Sequence, residues 1–449
     1  MTAPTASVND AGVRSGVLTV VKPGVQSTVQ DVRGRAGYWG VGVPPSGAWD
    51  DRSATLANLG AGNDADAALV EALLRGPVLT VAAPTTICIT GAATAATLDG
   101  VAVPLGVPVV VAAGQTLDMG PMRGPGIRGY LAIAGGIDVP HALGSRSTFL
   151  LGKFGGFGGR ALVAGDTLVA VRSTGDPVDV SAALPAMSDT WVLHVVPGPH
   201  GAPEHLTDEG VEELFAAEWR VDHRSDRTGV RLDGPSPRWA RSDGGQAGMH
   251  PSNIHDSAYP VGGIMLSGGT PVIVGPDGPS LGGFVVPAVI VRSDRWQLAQ
   301  ARPGDRVLLR PVTPEQADAL NRARVSELAA AAAATPAAPP VPPPAAEPQA
   351  LAAARPAALV DLPPTGDRPA LTVRRAGDHH VLVEAGPPVL DLVVRLQIHL
   401  LALALADRGL AGITDTVEGV RSMLVGVDET TLPLTTLAAV IAEEWAQLA

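Results

Sequence analysis

The sequence predicts a mainly β protein, followed by a linker and a small α+β lobe. From residue 17 to about 312, short apolar runs such as GVLTVV, VPVVVAAG and GYLAIAGG alternate with Gly, Pro and Asp turns. Apolar and polar residues alternate most clearly in 96–111, as expected for strands with one solvated face. The 53 Gly and 41 Pro residues indicate many closely spaced strands, which favour barrels or sandwiches over βαβ units.

Two helices interrupt the β-rich region of 17–312. Residues 51–60 follow Asp50, a candidate N-cap, and residues 208–219 follow Thr207, with acidic residues in the first turn where the helix dipole favours them. A seam near 175–190 separates two β-rich halves. Residues 1–16 are predicted to be a flexible N-terminus.

The composition changes after residue 312. The segment 313–369 predicts a helix end that runs into polyalanine, and then, from 334, a disordered Ala/Pro-rich linker that cannot build a core. Residues 370–449 predict a compact two-layer α+β lobe. Its expected elements are strand 370–375, strand 379–384, helix 391–408, strand 420–427 and helix 434–448.

Composition limits the class of protein. Apolar residues make up 46% and charged residues 17%, which is typical of a globular chain. The formal net charge of −12 disfavours nucleic acid as a partner, because phosphate binding needs a cationic face. The apolar run 391–406 is too short to span a bilayer and predicts a buried helix, so no membrane is expected. The single cysteine, Cys88, predicts a small buried side chain and indicates a cytoplasmic location.

The stretch 27–50, STVQDVRGRAGYWGVGVPPSGAWD, concentrates polar groups among glycines. Its candidate site residues are Gln30, Asp31, Arg33, Arg35, Ser46 and Asp50. Glycines allow a ligand to approach backbone N–H groups, and guanidinium groups suit carboxylate or phosphate. A solvated, turn-rich connection with surface ion pairs explains the same residues equally well.

Two later segments carry further candidates. The segment 222–234, DHRSDRTGVRLDG, could bind an anion or a carbonyl group, although a solvated hairpin fits this composition better. In 275–284, GPDGPSLGGF, Asp277 and Ser280 could face a ligand, and a plain β-turn is the alternative. The candidates in these two segments are Ser225, Asp226, Arg227, Arg231, Asp277, Ser280, Gly282 and Gly283.

Several kinds of site are not supported by the sequence. The segments 275–284 and 152–160 lack the Lys-Ser/Thr ending of a P-loop, and no Gly-x-Ser-x-Gly elbow occurs. The histidines are scattered without the spacing of a ligand pair, so no metal is expected.

Five segments, in order, resemble one family: the stretch 27–50, GNDADAALVEALLRGPVLTV, GSRSTFLLGKFGGFGGRALVAGD, SDRTGVRLDG and GPDGPSLGGF. Over about 17–312 the chain resembles the carboxyltransferase A/B domain of urea carboxylase (urea amidolyase), whose family includes the 5-oxoprolinase C subunit, or KipA. AGDHHVLVEAG and GITDTVEGVRSMLVGVD give 370–449 a resemblance to the first lobe of the C/D family, the 5-oxoprolinase B subunit or KipI. The resemblance implies two cyclophilin-like β-barrels, and a cleft lined or braced by the candidates of 27–50 and 222–234.

The resemblance implies, as the favoured function, a component of an ATP-dependent 5-oxoprolinase-type hydrolase that opens a cyclic amide. ATP would activate the lactam oxygen, and the four arginines named above would hold phosphate or substrate carboxylate. The expected catalytic residues are Asp31, Asp50 and Arg227. The expected partners are a LamB/YcsF-like A subunit and a protein that supplies the second lobe of the C/D family.

Two alternatives stay open. The same residues could transfer a carboxyl group from carboxybiotin on a partner protein to urea or a similar amide. No biotin-carrier segment with its Met-Lys-Met turn is present, so no covalent biotin is expected on this chain. A KipA/KipI-like regulatory protein without turnover is the third hypothesis. It gains weight because Ile264-Met265 and DGPSLGGF lack an amide, an Arg, a Gln and a Tyr hydroxyl that the family usually has.

Overall fold

The structure, a computed structural model, describes residues 16–171, 175–334 and 358–448. The chain forms two compact units. Of the described residues, the first unit contains 16–34, 50–171, 175–187 and 327–334, and the second contains Arg35–Trp49, Ser188–Ser326 and 358–448. Among the described residues, no helix is both long enough and apolar enough to cross a membrane.

The first unit is built from two antiparallel sheets that share one core. Its strands are β1 (Val17–Lys22), β2 (Gln26–Gln30), β3 (Leu69–Leu73), β4 (Val78–Ala83), β5 (Thr85–Gly91), β6 (Thr97–Leu98), β7 (Val101–Ala102), β8 (Val109–Val111), β9 (Thr116–Asp118), β10 (Arg128–Ile133) and β11 (Thr167–Val169). The sheet orders are β11-β1-β4-β9-β6-β7 and β2-β3-β10-β5-β8. Leu18 and Leu79 of the larger sheet join Val70 and Leu131 of the smaller one in this core. The alternating apolar residues therefore face inward, as predicted.

Helix α1 (Asp51–Gly60) confirms the helix predicted at 51–60. Asp50 is its N-cap, because its carboxylate accepts a hydrogen bond from Ser53 N at 2.8 Å. Gly60 has no room for a side chain, since a Cβ there would lie 2.3 Å from Cys88 Sγ. Burial raises the pKa of Cys88 to about 12, so this thiol is the small buried side chain that was predicted.

The second unit contains a closed seven-stranded barrel, with strand order β12-β19-β16-β17-β14-β13-β20, and a two-stranded sheet, β15-β18. These strands are β12 (Thr190–Pro197), β13 (Glu218–Val221), β14 (Gly229–Asp233), β15 (Asn253–Ala258), β16 (Gly263–Ser267), β17 (Thr270–Val274), β18 (Leu281–Phe284), β19 (Ala288–Ile290) and β20 (Arg306–Pro311). Its helices are α2 (Asp208–Ala216) and α3 (Arg295–Gln300), and α4 (Pro314–Ala332) follows the barrel in the sequence.

Helix α2 begins as predicted but ends earlier than residue 219. Thr207 is its N-cap and accepts a hydrogen bond from Gly210 N at 3.0 Å. The helix gives way to β13 because Trp219 is fully buried in an extended strand, where tertiary packing outweighs local helix propensity.

The C-terminal lobe has a five-stranded antiparallel sheet with the order β21-β22-β23-β25-β24 and two helices. Its elements are β21 (Ala358–Leu362), β22 (Leu371–Arg375), β23 (His380–Ala385), α5 (Leu392–Arg408), β24 (Ile413–Glu418), β25 (Ser422–Val427) and α6 (Leu434–Gln447). The sequence missed β24 and also β21, which lies in the predicted linker. The rest of that Ala/Pro-rich run, 335–357, lies outside the described residues.

Within the second unit, the lobe packs against Trp39 and against strand β15 of the two-stranded sheet. Trp39 and Ala258 form one apolar cluster with Leu382 and Leu424 of the lobe. Asp256 adds polar contacts, because its Oδ2 accepts hydrogen bonds from Val420 N (2.7 Å) and Ser422 Oγ (3.0 Å).

A second polar junction is centred on the buried Asp378. Its carboxylate accepts hydrogen bonds from Arg292 N at 2.8 Å and Asn321 Nδ2 at 2.9 Å, and lies 3.7 Å from the Arg295 guanidinium. Charged and amide donors from three elements thus converge on one carboxylate of the lobe, which fixes the lobe against the barrel and α4.

Candidate functional site

The loop 35–49 carries two of the predicted site residues and belongs to the second unit. Gly37 N donates to Asp415 Oδ1 at 2.7 Å, and Trp39 is buried in the apolar cluster shared with the lobe. Gly40 lies so close to β24 that a Cβ would sit 2.5 Å from Thr416 O. The C-terminal lobe therefore holds this loop in place, a dependence that the sequence did not reveal.

Arg227 and Asp277 form a buried ion pair beside the loop. Arg227 Nε lies 2.7 Å from Asp277 Oδ2, and Arg227 Nη2 lies 3.2 Å from Oδ1, a two-point contact. The same Nη2 donates to Gly47 O at 2.9 Å. Both side chains are less than 10% exposed. Residues that are 50 positions apart, together with the end of the loop, thus converge on one ion pair, which the sequence did not predict.

The Ser46 hydroxyl has no hydrogen-bond partner among the residues that the structure describes. The Ser46 backbone has a φ of 56°, uncommon for a residue with a side chain, and its N donates to Pro276 O at 2.9 Å. The residue is 6% exposed, and its Oγ is buried without a hydrogen bond. Buried hydroxyls are ordinarily paired, so this Oγ is available to an ordered water or a bound ligand. Strained backbone of this kind clusters at ligand sites.

The other candidate of the loop, Arg35, is also buried. It is 3% exposed, and its backbone N donates to Pro45 O at 2.7 Å. This bond closes the base of the loop between Arg35 and Ser46. The backbones of Arg35 and Ser46, both predicted site residues, are therefore held close together.

Ser225, Asp226 and Arg231 shape the turn that presents Arg227. Arg231 N donates to Ser225 Oγ at 3.0 Å, and Asp226 Oδ1 accepts hydrogen bonds from Thr228 N and Thr228 Oγ1 at 2.8 and 2.5 Å. Asp226 is exposed, whereas Ser225 and Arg231 are half-buried. Their contacts brace the turn between β13 and β14, so the predicted hairpin is present in this segment.

The glycines of 275–284 make room for a buried tyrosine. A Cβ on Gly282 would lie 2.5 Å from the Tyr259 ring, and one on Gly283 would lie 2.9 Å from Ile254 O. Tyr259 OH accepts a hydrogen bond from Phe284 N at 2.8 Å, and its own N donates to Ser280 O. Burial raises the pKa of Tyr259, so its phenol stays protonated. Packing accounts for both glycines.

In the first unit, the Asp31 carboxylate is surrounded by donors. It accepts hydrogen bonds from Ser145 Oγ (2.8 Å), Ser147 Oγ (2.5 Å), Arg146 N (2.5 Å) and Gly34 N (3.0 Å). These donors occupy the lone pairs of both carboxylate oxygens. This geometry suits an anchor for the loop after β2 rather than a proton acceptor.

Two neighbours of Asp31 differ sharply in burial. Gln30 is fully buried, and its Nε2 donates to Thr28 Oγ1 and Thr148 O, whereas its Oε1 has no partner in the described part of the chain. Arg33 points into solvent, with its side chain 85% exposed and 3.9 Å from Asp66. An exposed pair of this length contributes little, so the structure gives Arg33 no enclosed anion to hold.

Asp50 belongs to a buried network that the sequence showed only in part. Its N donates to Tyr130 OH at 2.8 Å, and Tyr130 OH donates to Glu71 Oε2 at 2.9 Å. Glu71 lies 3.6 Å from Arg128 Nε. Burial and the Glu71 charge raise the pKa of Tyr130. The N-cap was readable from local sequence, but the strand partners were not, because they are 21 to 80 residues away from Asp50.

Within the residues that the structure describes, no three His, Cys, Asp or Glu side chains cluster in a way that would hold a metal ion. The second unit offers the buried Ser46 hydroxyl beside a backbone that the Arg227–Asp277 ion pair fixes, and a hydroxyl can both donate and accept a hydrogen bond.

The fold and these residues define a carboxyltransferase-type domain. The model of the carboxyltransferase domain, subdomains A and B, matches residues 41–311, and that of subdomains C and D matches 371–449. The chain belongs to the carboxyltransferase domain family, which includes urea carboxylase and the C subunit of 5-oxoprolinase.

Relatives fall into two groups. The chain is 40% identical to urea amidolyase of Lachancea kluyveri over 91% of this chain and 23% of that protein. It is 31% identical to the 5-oxoprolinase C subunit of Escherichia coli over 65% of this chain and 90% of that protein. The crystal structure of the K. lactis urea amidolyase matches with a TM-score of 0.88 and 35% identity, covering 97% of this chain and 27% of that one. The chain thus spans about a quarter of the urea amidolyases it matches.

Proposed function

We propose that this chain carries out the carboxyl-transfer step of a urea carboxylase-type reaction, from carboxybiotin on a partner protein to urea or a similar amide. One observation supports this most strongly. The similarity to urea amidolyase extends through the A/B part and the C-terminal lobe, whereas the similarity to the C subunit of 5-oxoprolinase extends over 65% of the chain. The sequence alone favoured the hydrolase, and this coverage reverses the order of the two.

The second unit has groups that fit such a ligand. The Ser46 Oγ is buried and needs a partner, and a ureido or carboxylate oxygen would accept its proton in a hydrogen bond. When bound, carboxybiotin supplies an activated carboxyl group. Arg227 does not reach for the substrate itself, because its guanidinium already holds Asp277 and Gly47 O. It fixes the backbone next to Ser46, so that the hydroxyl is oriented before the ligand arrives.

The test is carboxyl transfer with a purified carrier. A biotinylated carrier protein bearing labelled carboxyl is mixed with the chain, with and without urea, and label leaving the carrier is followed. We expect urea-dependent loss of label, and Ser46→Ala should slow it while the exposed Val41→Ala should not. Loss of label that is the same with and without urea would contradict the proposal.

A 5-oxoprolinase-type hydrolase component, using ATP and an A-type partner subunit, is the second candidate. It is supported by the match to nearly the whole length of the C subunit of 5-oxoprolinase. ATP-dependent formation of glutamate from 5-oxoproline, when the chain is combined with candidate partners, would establish it. Co-purification with a sensor kinase, without turnover in either assay, would favour the regulatory alternative.

A further inference from the structure

Helix α5 has two apolar faces, of which one is exposed. Its inner face, with Ile398 and Leu401 fully buried, packs on the lobe sheet. A surface helix ordinarily carries polar residues on its opposite side, and a helix that is apolar all round is ordinarily buried. The sequence prediction of a buried helix thus holds for one face. The opposite face is the outer seam, which exposes Leu392 (73%), Val393 (61%), Leu396 (54%), Leu400 (46%) and Leu403 (48%).

The spacing of the outer seam is that of a helix-pairing surface. Val393, Leu396, Leu400 and Leu403 follow one another at intervals of three, four and three residues. This is the a/d pattern of two heptads, which places the side chains in one line for knobs-into-holes packing against another helix.

The charges beside the outer seam are paired within the lobe. Arg395 Nη1 lies 2.7 Å from Glu418 Oε2, His399 Nδ1 lies 3.0 Å from the same oxygen, and Arg408 Nη2 lies 3.1 Å from Glu443 Oε2. The outer seam can therefore be covered with these polar groups at the rim, which is the usual anatomy of an interface.

The apolar area agrees with that of a stable dimer. With the neighbouring Val389 (49%) and Leu390 (68%), the outer seam exposes about as much surface as four fully exposed leucines. This is on the order of 500 Å², near the upper end for a lone patch on a monomer. An interface that buries about 800 Å² per partner, about 60% of it apolar, needs about this much apolar surface on each partner.

We propose that two copies of this chain pair through α5, antiparallel and related by a two-fold axis near Ile398. In this arrangement Val393 of one copy meets Leu403 of the other, and Leu396 meets Leu400, so the outer seam covers itself as a two-fold interface requires. Antiparallel pairing also brings the N-terminal end of one α5 towards the C-terminal turn of the other. Opposite helix-dipole ends are then neighbours, whereas a parallel pair would place like ends together.

The first test is the mass in solution, measured by light scattering on a sizing column. The full chain should elute at twice its 45.6 kDa. Leu396→Glu with Leu400→Glu should give a monomer at every concentration at which the unsubstituted chain is a dimer. Val325→Glu is the matched control, because Val325 is 66% exposed on a different helix, and it should leave the dimer intact. Unchanged circular dichroism would show that the double variant is folded.

The second test fixes the orientation. Leu396→Cys and Leu400→Cys chains, mixed and oxidised, should cross-link to each other faster than either cross-links to itself. Cys88 does not interfere, because it is buried. A monomeric full chain, a dimer that survives the double glutamate substitution, or preferential Leu396→Cys self-cross-linking would each overturn the proposal. So would a monomer whose outer seam is covered by an unlike protein.

Discussion

Replacing Arg227 with Met should strongly destabilise the second unit. The substitution keeps the apolar stem of the side chain but removes two contacts to Asp277, at 2.7 and 3.2 Å, and one to Gly47 O at 2.9 Å. It leaves the Asp277 carboxylate, 8% exposed, without its cation. Breaking one partner of a buried ion pair costs about 3–5 kcal/mol. For a unit of this size, that lowers the unfolding midpoint by about 10 °C.

Tryptophan fluorescence is the assay, because it reports on the second unit alone. All seven tryptophans lie in its segments, at positions 39, 49, 191, 219, 239, 296 and 445. Urea or thermal unfolding followed at this signal therefore measures the unit that contains the ion pair, independently of the first unit.

A double-mutant cycle separates the ion pair from other losses. Arg227→Met with Asp277→Ala removes both charges, so the second substitution should recover about 2–3 kcal/mol of the summed losses. Arg227→Lys keeps the charge but not the two-point contact and should fall between the wild type and Arg227→Met. A loss below about 1 kcal/mol for Arg227→Met, or strictly additive single losses, would refute the reasoning.

Three further predictions follow from the second unit. Ser46→Ala should change the free energy of unfolding by less than about 1 kcal/mol, because Oγ has no hydrogen-bond partner within the described ranges, and should lower the rate of carboxyl transfer about 10- to 100-fold. Gly40→Ala should cost about 2 kcal/mol, because its Cβ would lie 2.5 Å from Thr416 O, and should speed hydrogen exchange in the loop 35–49. Burial and the nearby Asp318 raise the pKa of Glu429 from 4.5 to about 8, so the folded state holds a proton that the unfolded chain has released. The stabilisation that this proton provides is complete below pH 4.5 and is lost as the pH rises through 8. The loss is about 2 kcal/mol once solvent screening is allowed for, and the free energy of unfolding at pH 5, 7 and 9 measures it.

Each of these predictions has a matched control. Ser46→Gly relieves the positive φ and should stabilise the loop while still slowing transfer. Val41→Ala, next to Gly40 but 78% exposed, should leave hydrogen exchange unchanged. Glu429→Gln cannot ionise, so its stability should lose this pH dependence, and a slope equal to that of the wild type would exclude Glu429 as the source.

Much of the fold could be predicted from local patterns. Period-two alternation and turn residues identified the β-rich region, and the helices that follow Asp50 and Thr207 begin where an N-cap residue precedes them. Cys88 was correctly expected to be buried, since it lies within an apolar strand. These features depend on interactions between residues that are near one another in the chain, and so they are visible in a sequence.

Errors arose where distant packing overruled local preference. The strand β21 forms within an Ala/Pro-rich run because β22 supplies its hydrogen bonds, and α2 stops early because Trp219 is needed in the barrel. Neither cause can be seen without the partner strands.

The sequence by itself determined the kinds of groups available, and the family resemblance pointed to the segments that carry them. Only the tertiary structure decided which of those groups are enclosed. Arg227 is paired and buried with Asp277, whereas Arg33, an identical side chain, points into solvent. The physical reason is that a guanidinium is placed by its partners, and the partners of Arg227 are a carboxylate and a carbonyl brought from distant segments by the closing of the barrel and its lobe.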